Sequence, residues 1–171
     1  MGKSSIEPLT FEDANAVQRA LRRVAGSGPG AWLFARVLYR IDRPVYRLTG
    51  GRHTLASLLS GIPVLMITTT GARSGLPRTV PVLGLPTPGG FAVIASNFGQ
   101  RRHPGWCFNL RAHPEGSLAV DGKSTRFRAV EVEGDRRREI WAQGLLVYPG
   151  WSQYERRASG RQIAVFVLEP Q

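Results

Sequence analysis

Six short β-branched or apolar runs, the first three separated by turns of glycine and proline, recur along this chain after residue 61. The six runs occupy residues 63–70, 78–85, 91–96, 117–120, 125–132 and 163–168. Segments 71–75 and 86–90 link the first three, and Asp121-Gly122 is a dipeptide typical of hairpin turns. Six short strands in meander order predict a small antiparallel barrel rather than a parallel sheet.

Helical patterns flank these runs. Thr10 and Asp13 predict the start of a first helix that ends near Gly26, and residues 31–41 predict a second. Further helices are expected at 104–112, at 135–147 and just after Pro149. The expected fold is therefore α+β and mainly β. A helical N-terminal segment (1–60) would pack on a barrel (61–171) within a single domain, because 171 residues can bury one core.

Acidic residues are absent from one long stretch. Residues 43–114 contain no aspartate or glutamate but carry eight arginines and all three histidines, so they hold +8 of the total formal charge of +11. Such a field attracts an anionic partner, although chance clustering on a surface gives the same composition. A nucleic acid is not the expected partner, since the stretch lacks a recognisable binding motif and its apolar runs resemble a core.

Residues 68–81 read TTTGARSGLPRTVP and contain the first candidate anion site. Two glycines allow a tight turn whose amide groups point to one spot. Arg73, Ser74, Arg78 and Thr79 add side-chain donors beside it. The pattern predicts either a phosphate cradle or a solvated turn, and it matches neither a Walker loop nor a dinucleotide-binding fingerprint.

A second candidate follows the third run, where Arg101 and Arg102 precede a predicted helix start that favours anions. The competing interpretation places Trp106 and Phe108 in the core and both arginines in water.

Tyr148, Trp151 and Tyr154 are three residues apart and therefore share one side of a helical turn. They predict either core packing or the apolar wall of a cleft with hydroxyl donors.

No residue pattern supplies catalytic chemistry by itself. The histidines lack partners at ligand spacing, which argues against a metal site, and no hydrolase motif is present. An enzyme of this kind would take its chemistry from a cofactor. The single cysteine, Cys107, together with the lack of a signal peptide or a membrane-length apolar run, favours a cytoplasmic protein.

Four blocks in order, TTTGARSGLPRTVP, FAVIASNFGQRRHPGWCFNLRAHP, YPGWSQYERR and IAVFVLEP, resemble the deazaflavin-dependent nitroreductase family over about residues 62–170. The resemblance implies a split β-barrel that binds coenzyme F420. This cofactor is a polyanion with a phosphodiester and an oligoglutamate tail, and its reduced form donates hydride. The acid-free arginine stretch points to the same class of ligand.

The resemblance also implies a cofactor-binding set. It comprises Arg73, Ser74 and Arg78 at the phosphate and tail; Thr79, Val80 and Pro81 beside the deazaflavin ring; Ala95, Ser96 and Asn97 near the ring and linker; and Arg101, Trp106 and Asn109 around the rest of the pocket. Tyr148, Trp151 and Tyr154 match substrate-side positions and are the expected catalytic residues, and no metal is implied.

The expected activity is therefore hydride transfer from reduced F420 to a small electron-poor acceptor such as a quinone, an enone or a nitro compound. Tyr148 or Tyr154 would donate a hydrogen bond to the developing oxyanion. Two alternatives stay open: an FMN-dependent oxidoreductase on the same barrel, and a non-catalytic F420 carrier. A homodimer is expected from the split-barrel resemblance. Arginines at helical spacing (Arg36, Arg40, Arg43 and Arg47) predict either a helix packed on the barrel or peripheral contact with an anionic membrane.

Overall fold

Six antiparallel strands close into a barrel in the computed structural model, which describes residues 11–12, 14–27, 30, 64–120 and 122–171. The strands are β1 Val64–Thr70, β2 Pro77–Thr87, β3 Gly90–Ile94, β4 Glu115–Val120, β5 Lys123–Val132 and β6 Val165–Pro170. The described helices are α1 Ala16–Gly26, α2 Gly105–Ala112, α3 Gly134–Val147 and α4 Gly150–Arg157. The mainly β barrel with flanking helices is confirmed.

The order of the strands around the barrel differs from the expected meander. It is β1-β2-β3-β6-β5-β4, with β4 paired back onto β1. The third strand pairs with β6 rather than with its successor, because the chain leaves β3 through residues 95–104 and α2 and returns as β4 beside β1. Two three-strand meanders are thus joined, and closure leaves no unpaired strand edge.

The last strand is buried on both of its faces. Every residue from Ile163 to Leu168 is buried, which explains why this run is continuously apolar instead of alternating. Ladder pairing begins at Val165, two residues later than predicted. The preceding carbonyls are already used, since Ile163 accepts from Arg137 and Ala164 accepts from the amide of Ala95.

Two hydrophobic cores lie on opposite sides of this strand. The inner core fills the barrel, and α2 contributes Cys107 and Leu110 to it, with Trp106 packed edge-on against Phe166 at 5.9 Å. The outer core lies between the barrel wall and the pair α3 and α4; its members include Ile140, Val147, Tyr148, Trp151, Tyr154 and Val165. Because α2 is packed into the inner core, the chain segments just before and just after this helix are held in place at one end of the barrel.

The first described helix begins later than Thr10 and Asp13 suggested. Asn15 caps α1, with Oδ1 accepting from the Gln18 amide at 2.8 Å while Gln18 Oε1 accepts from the Asn15 amide at 3.1 Å. This is a capping box, and a different polar residue takes the role expected of Thr10. The helix packs on α4, and the buried Arg22 donates to the Val147 carbonyl at 2.8 Å.

Several expectations concern residues that the structure does not describe. The predicted helix at 31–41 and the arginines at positions 36, 40, 43 and 47 lie outside the described residues, as do Thr10 and Asp13. The division at residue 60 therefore stays a prediction. Among the described residues, no helix is both long and apolar enough to cross a membrane.

Candidate functional site

The turn between β1 and β2, residues 71–76, is closed by its own backbone. The Gly71 amide donates to the Leu76 carbonyl at 2.9 Å, and the Gly75 amide donates to the Gly71 carbonyl at 2.8 Å. A Cβ at Gly71 would lie 2.5 Å from Ser74 Oγ and 3.1 Å from the Leu76 carbonyl oxygen, so a larger residue there would displace the Ser74 hydroxyl. The amides of Arg73 and Ser74 donate to no acceptor in the described part of the chain. The turn therefore offers two unused N–H groups beside an exposed hydroxyl.

Asn109 on α2 fixes this turn in place. Its Oδ1 accepts from the Ala72 amide at 2.9 Å, and its Nδ2 donates to Thr69 Oγ1 at 3.0 Å. Thr69 is 1% exposed and donates onward to the Arg78 carbonyl. Asn109 was predicted to complete the ligand pocket. In the structure Oδ1 and one N–H of Nδ2 bind protein, so Asn109 positions the turn, and its role in the ligand pocket stays a prediction.

Strand β2 presents two different faces at the next predicted positions. Val80 packs toward the inner core, whereas Thr79 and Pro81 alternate with it and are half-buried on the outer face of the barrel. Thr79 Oγ1 lies 2.9 Å from Thr68 Oγ1 across the β1–β2 pair. A narrow outer surface of small side chains thus lies directly beside the turn.

The connection from β3 to α2, residues 95–104, has a strained backbone. Asn97, Phe98 and Gly99 have φ values of 47°, 54° and 76°, so three consecutive residues are left-handed. Each non-glycine residue in this region costs of order 1–3 kcal/mol, and such strain concentrates at functional sites. Asn97 Nδ2 donates to the Arg102 carbonyl at 2.9 Å, which ties the strained residues to the arginine pair that follows.

This connection also packs against α4. Phe98 meets Tyr154 edge-on with ring centroids 6.1 Å apart. Gly99 lies so close to α4 that a Cβ added to it would be 2.9 Å from the Tyr154 carbonyl oxygen. The contacts of Phe98 and Gly99 with α4 therefore help to hold the predicted residues just before them, Ala95, Ser96 and Asn97.

A residue that the sequence analysis missed, Arg161, binds the same connection. Its guanidinium donates to the carbonyls of Ala95, Ser96 and Gln100 and contacts His103 Nδ1. Arg161 lies about 60 residues further along the chain and outside the acid-free stretch. Only the pairing of β3 with β6 brings it close, and no local pattern indicates that pairing.

The exposed arginines of the two segments are not neutralised. Arg73, Arg78, Arg101 and Arg102 form no ion pair with any described residue, whereas the five described ion pairs join other arginines to acids at position 115 or beyond. Arg111 is the exception within the acid-free stretch. It binds Glu131 through two hydrogen bonds at 2.6 and 2.8 Å and holds the pKa of that carboxyl below its usual value. No described acid therefore offsets the positive charge of the β1–β2 turn region or of the β3–α2 connection.

Helix α2 joins these segments. Arg101 and Arg102 lie just before its first residue, Gly105, and Asn109 lies four residues into it, about 6 Å along the helix axis. Asn109 touches the β1–β2 turn, so the turn and the arginine pair lie at neighbouring points of one helix. The two anion sites that the sequence predicted separately are therefore linked through one helix.

Tyr148, Trp151 and Tyr154 form a compact aromatic cluster, with relative exposures of 5%, 2% and 2%. The two hydroxyls lie 2.9 Å apart, and Trp151 meets Tyr148 edge-on at 5.6 Å. Burial raises the pKa of both phenols above the usual value, so both stay protonated at neutral pH. The cluster belongs to the outer core, which is the packing alternative that the sequence left open.

The remaining titratable groups near α2 do not form a catalytic set. Burial raises the pKa of the Cys107 thiol to about 11, so it is a core thiol rather than a nucleophile. Burial, and then the Arg161 charge, lower the pKa of His103. Within the described residues there is no cluster of metal-binding side chains.

Comparisons with known proteins agree on one family. The model of the F420H(2)-dependent quinone reductase family matches residues 38–170. F420H(2)-dependent quinone reductases of two Mycobacterium tuberculosis strains are each 34% identical over 106 residues, covering 60% of this chain and 70% of theirs. A solved F420-H2 dependent reductase, FDR-A, is 36% identical with a TM-score of 0.57, covering 63% of this chain and 94% of its own. A structure described as a domain-swapped dimer is 32% identical with a TM-score of 0.60, covering 83% and 100%.

Proposed function

The chain belongs to the F420H(2)-dependent quinone reductase family, and we propose that it binds F420 between the β1–β2 turn and the β3–α2 connection and reduces a quinone-like acceptor. One observation carries the placement of the cofactor. Arg73, Arg78, Arg101 and Arg102 have no acidic partner among the described residues, and they lie in the turn that contacts α2 and in the connection that leads into it. A polyanionic ligand matches that arrangement.

The donor set fits the polar part of the cofactor. Arg73 and Arg78 offer planar forks suited to phosphate or carboxylate oxygens. The backbone amides of Arg73 and Ser74, which have no acceptor among the described residues, add donors at one turn. Arg101 extends the positive surface toward a tail that carries several carboxylates. In this proposal Asn109 holds the turn in place through the bonds to Ala72 and Thr69 and completes the pocket beside it.

The outer face of β2 would hold the ring. Thr79 and Pro81 supply a surface of small side chains, while the backbone at Val80 passes beside it and the Val80 side chain anchors the strand in the inner core. Ala95, Ser96 and Asn97 would bound the ring and linker, and Trp106 supports them from within the barrel. Reduced F420 supplies the hydride when bound; the protein residues bind, orient and exclude water.

The substrate-side role of Tyr148, Trp151 and Tyr154 stays a prediction. Both phenols stay neutral, so a hydroxyl of this buried pair would donate a hydrogen bond to any acceptor oxygen that reaches it. If one of them does so, the variant Tyr148→Phe/Tyr154→Phe should lower kcat by about tenfold or more while the Kd for F420 stays unchanged. Steady-state kinetics with a quinone, together with F420 titration, measures both. Unchanged kcat assigns the pair to packing alone.

Titration of the purified apo-protein with F420 and, separately, with FMN tests the proposed function. We expect tight F420 binding that weakens as salt increases, with little FMN binding, because FMN carries one phosphate and no glutamate tail. FMN binding alone would move the protein to the flavin alternative. Binding of neither cofactor would refute the proposal.

A non-catalytic F420 carrier would give the same titration, so turnover must be measured as well. We expect oxidation of reduced F420 in the presence of a quinone to follow saturation kinetics, with stoichiometric loss of the quinone. Tight binding without turnover on quinones, enones or nitro compounds would favour the carrier.

Two statements about partners are proposals of their own. One structural relative is described as a domain-swapped dimer, and we propose that this chain also forms a homodimer, which light scattering during size-exclusion chromatography tests.

We further propose, from the arginines at positions 36, 40, 43 and 47, that a cytoplasmic form of the protein touches anionic membranes. Co-sedimentation with anionic liposomes should then require residues 1–50 and fall with added salt; equal binding without them would contradict this.

A further inference from the structure

Arg161 lies outside every motif of the sequence, yet it binds the connection that carries the predicted cofactor contacts. We propose that Arg161 is a positioning residue: it holds residues 95–102 in the conformation that presents Ser96, Asn97 and Arg101 to F420. This inference rests on the proposed function for its ligand. The contacts of Arg161 with Ala95, Ser96, Gln100 and His103, called the clamp below, are a property of the protein alone.

Four of the five N–H groups of the guanidinium donate to backbone carbonyls, and the fifth faces His103 Nδ1. Nε donates to the Gln100 carbonyl at 3.1 Å, and NH2 donates to the carbonyls of Gln100 at 3.0 Å and Ser96 at 2.8 Å. NH1 donates to the Ala95 carbonyl at 3.1 Å and lies 3.2 Å from His103 Nδ1. A guanidinium has five such hydrogens, so none remains for a ligand. Arg161 therefore acts through the segment and not by touching the cofactor.

The bound carbonyls bracket the strained residues. Ala95 and Ser96 precede the left-handed run of Asn97, Phe98 and Gly99, and Gln100 follows it directly. One planar group thus joins the two ends of a backbone excursion that is unfavourable by itself. Arg101 comes immediately after the clamped carbonyl, so its direction depends on the clamp.

Lysine cannot replace this contact although it keeps the charge. Its ammonium group is a point donor without the fork that reaches three carbonyls at once. The variant Arg161→Lys therefore separates geometry from charge. Arg156→Lys is the matched control, because Arg156 is an exposed arginine on neighbouring α4 with no ion pair to a described residue.

The first measurement is F420 affinity. We expect R161K to weaken F420 binding by about tenfold, the effect of losing a charge-assisted contact, and R156K to leave it unchanged. Because no direct ionic contact is lost, the salt dependence of the Kd should remain that of the wild type in R161K. A loss of affinity that is restored by lowering the salt would instead indicate a purely electrostatic role and overturn the proposal.

The second measurement needs no cofactor. The amides of Gly99 and Gln100 donate to the carbonyls of Ser96 and Asn97, both at 3.0 Å, within the clamped segment. Hydrogen exchange of these amides in the apo-protein should be about tenfold faster in R161K, with β5 unaffected. His103→Ala, which removes one contact, is measured in parallel and should give about threefold faster exchange, so the clamp stays testable if R161K does not fold.

The outcomes separate the two proposals. If wild-type protein binds F420 but R161K binds it within twofold and exchanges at the wild-type rate, Arg161 is not a positioning residue. If H103A leaves exchange unchanged while R161K cannot be folded, the clamp is equally refuted. If the wild type does not bind F420, the proposed function fails, and the exchange rates still decide whether Arg161 clamps the segment.

Discussion

Replacing Arg73 and Arg78 together with glutamine should weaken F420 binding by about a hundredfold at low salt. Both arginines are exposed and lack acidic partners among the described residues, so an anionic ligand meets them without displacing an existing ion pair. A charge-assisted contact contributes about 1.5 kcal/mol after solvent screening, and two give about 3 kcal/mol, which corresponds to roughly two powers of ten in Kd. Titration at several salt concentrations should also show a shallower salt dependence than that of the wild type.

The matched control removes the same two charges elsewhere. Arg23→Gln/Arg156→Gln changes exposed arginines on α1 and α4 that form no ion pair with a described residue, so its net charge equals that of the test variant. We expect its F420 affinity to stay within about threefold of the wild type, since neither arginine lies in the β1–β2 turn or in the β3–α2 connection. Equal losses in both variants would mean that only net charge matters. An unchanged Kd in R73Q/R78Q would exclude the turn as the anchor.

The sequence predicted the barrel well because its signals are local. Glycine and proline separate the runs, and Asp121-Gly122 predicts the hairpin that the register of β4 on β5 confirms. The pairing of β3 with β6 was missed for a physical reason. The sequence of a short apolar strand does not indicate which other strand it pairs with, and an antiparallel meander is compatible with the same pattern. Only the path of the chain through α2 distinguishes the two arrangements.

The candidate site also contains both locally predictable residues and residues that only the fold brings in. Residues 71–75 and the arginine pair were predictable because composition and turn chemistry are visible in a short window. The residues that hold those segments were not. Asn109 contacts Ala72 across 37 positions, and Arg161 reaches Ala95 across 66. Contacts of that sequence separation depend on topology, so charge segregation identified the ligand class while the supporting geometry needed the fold.

Gly99→Ala should lower the free energy of unfolding by about 3 kcal/mol. Its φ of 76° is a left-handed conformation, which costs an L-residue about 1–2 kcal/mol. In addition, a Cβ there would lie 2.9 Å from the Tyr154 carbonyl oxygen and 3.0 Å from Tyr154 Cα. These are backbone atoms of α4 that cannot rotate away, so the added methyl group must push the connection off the helix, at a cost typical of overpacking. Urea denaturation measures the difference.

Gly134→Ala isolates the backbone part of this cost. Gly134 is also left-handed, with φ of 57°, but a Cβ there meets nothing within 4 Å, and it lies outside both candidate segments. We expect G134A to lose only about 1 kcal/mol and to bind F420 like the wild type. The excess loss in G99A then reports how tightly the β3–α2 connection is pressed against α4. Because Arg101 lies in that connection two residues after Gly99, G99A should also bind F420 more weakly under conditions where it is fully folded. Equal stability losses in G99A and G134A would show that the connection does not need its contact with Tyr154, and would remove α4 from the elements that support the site.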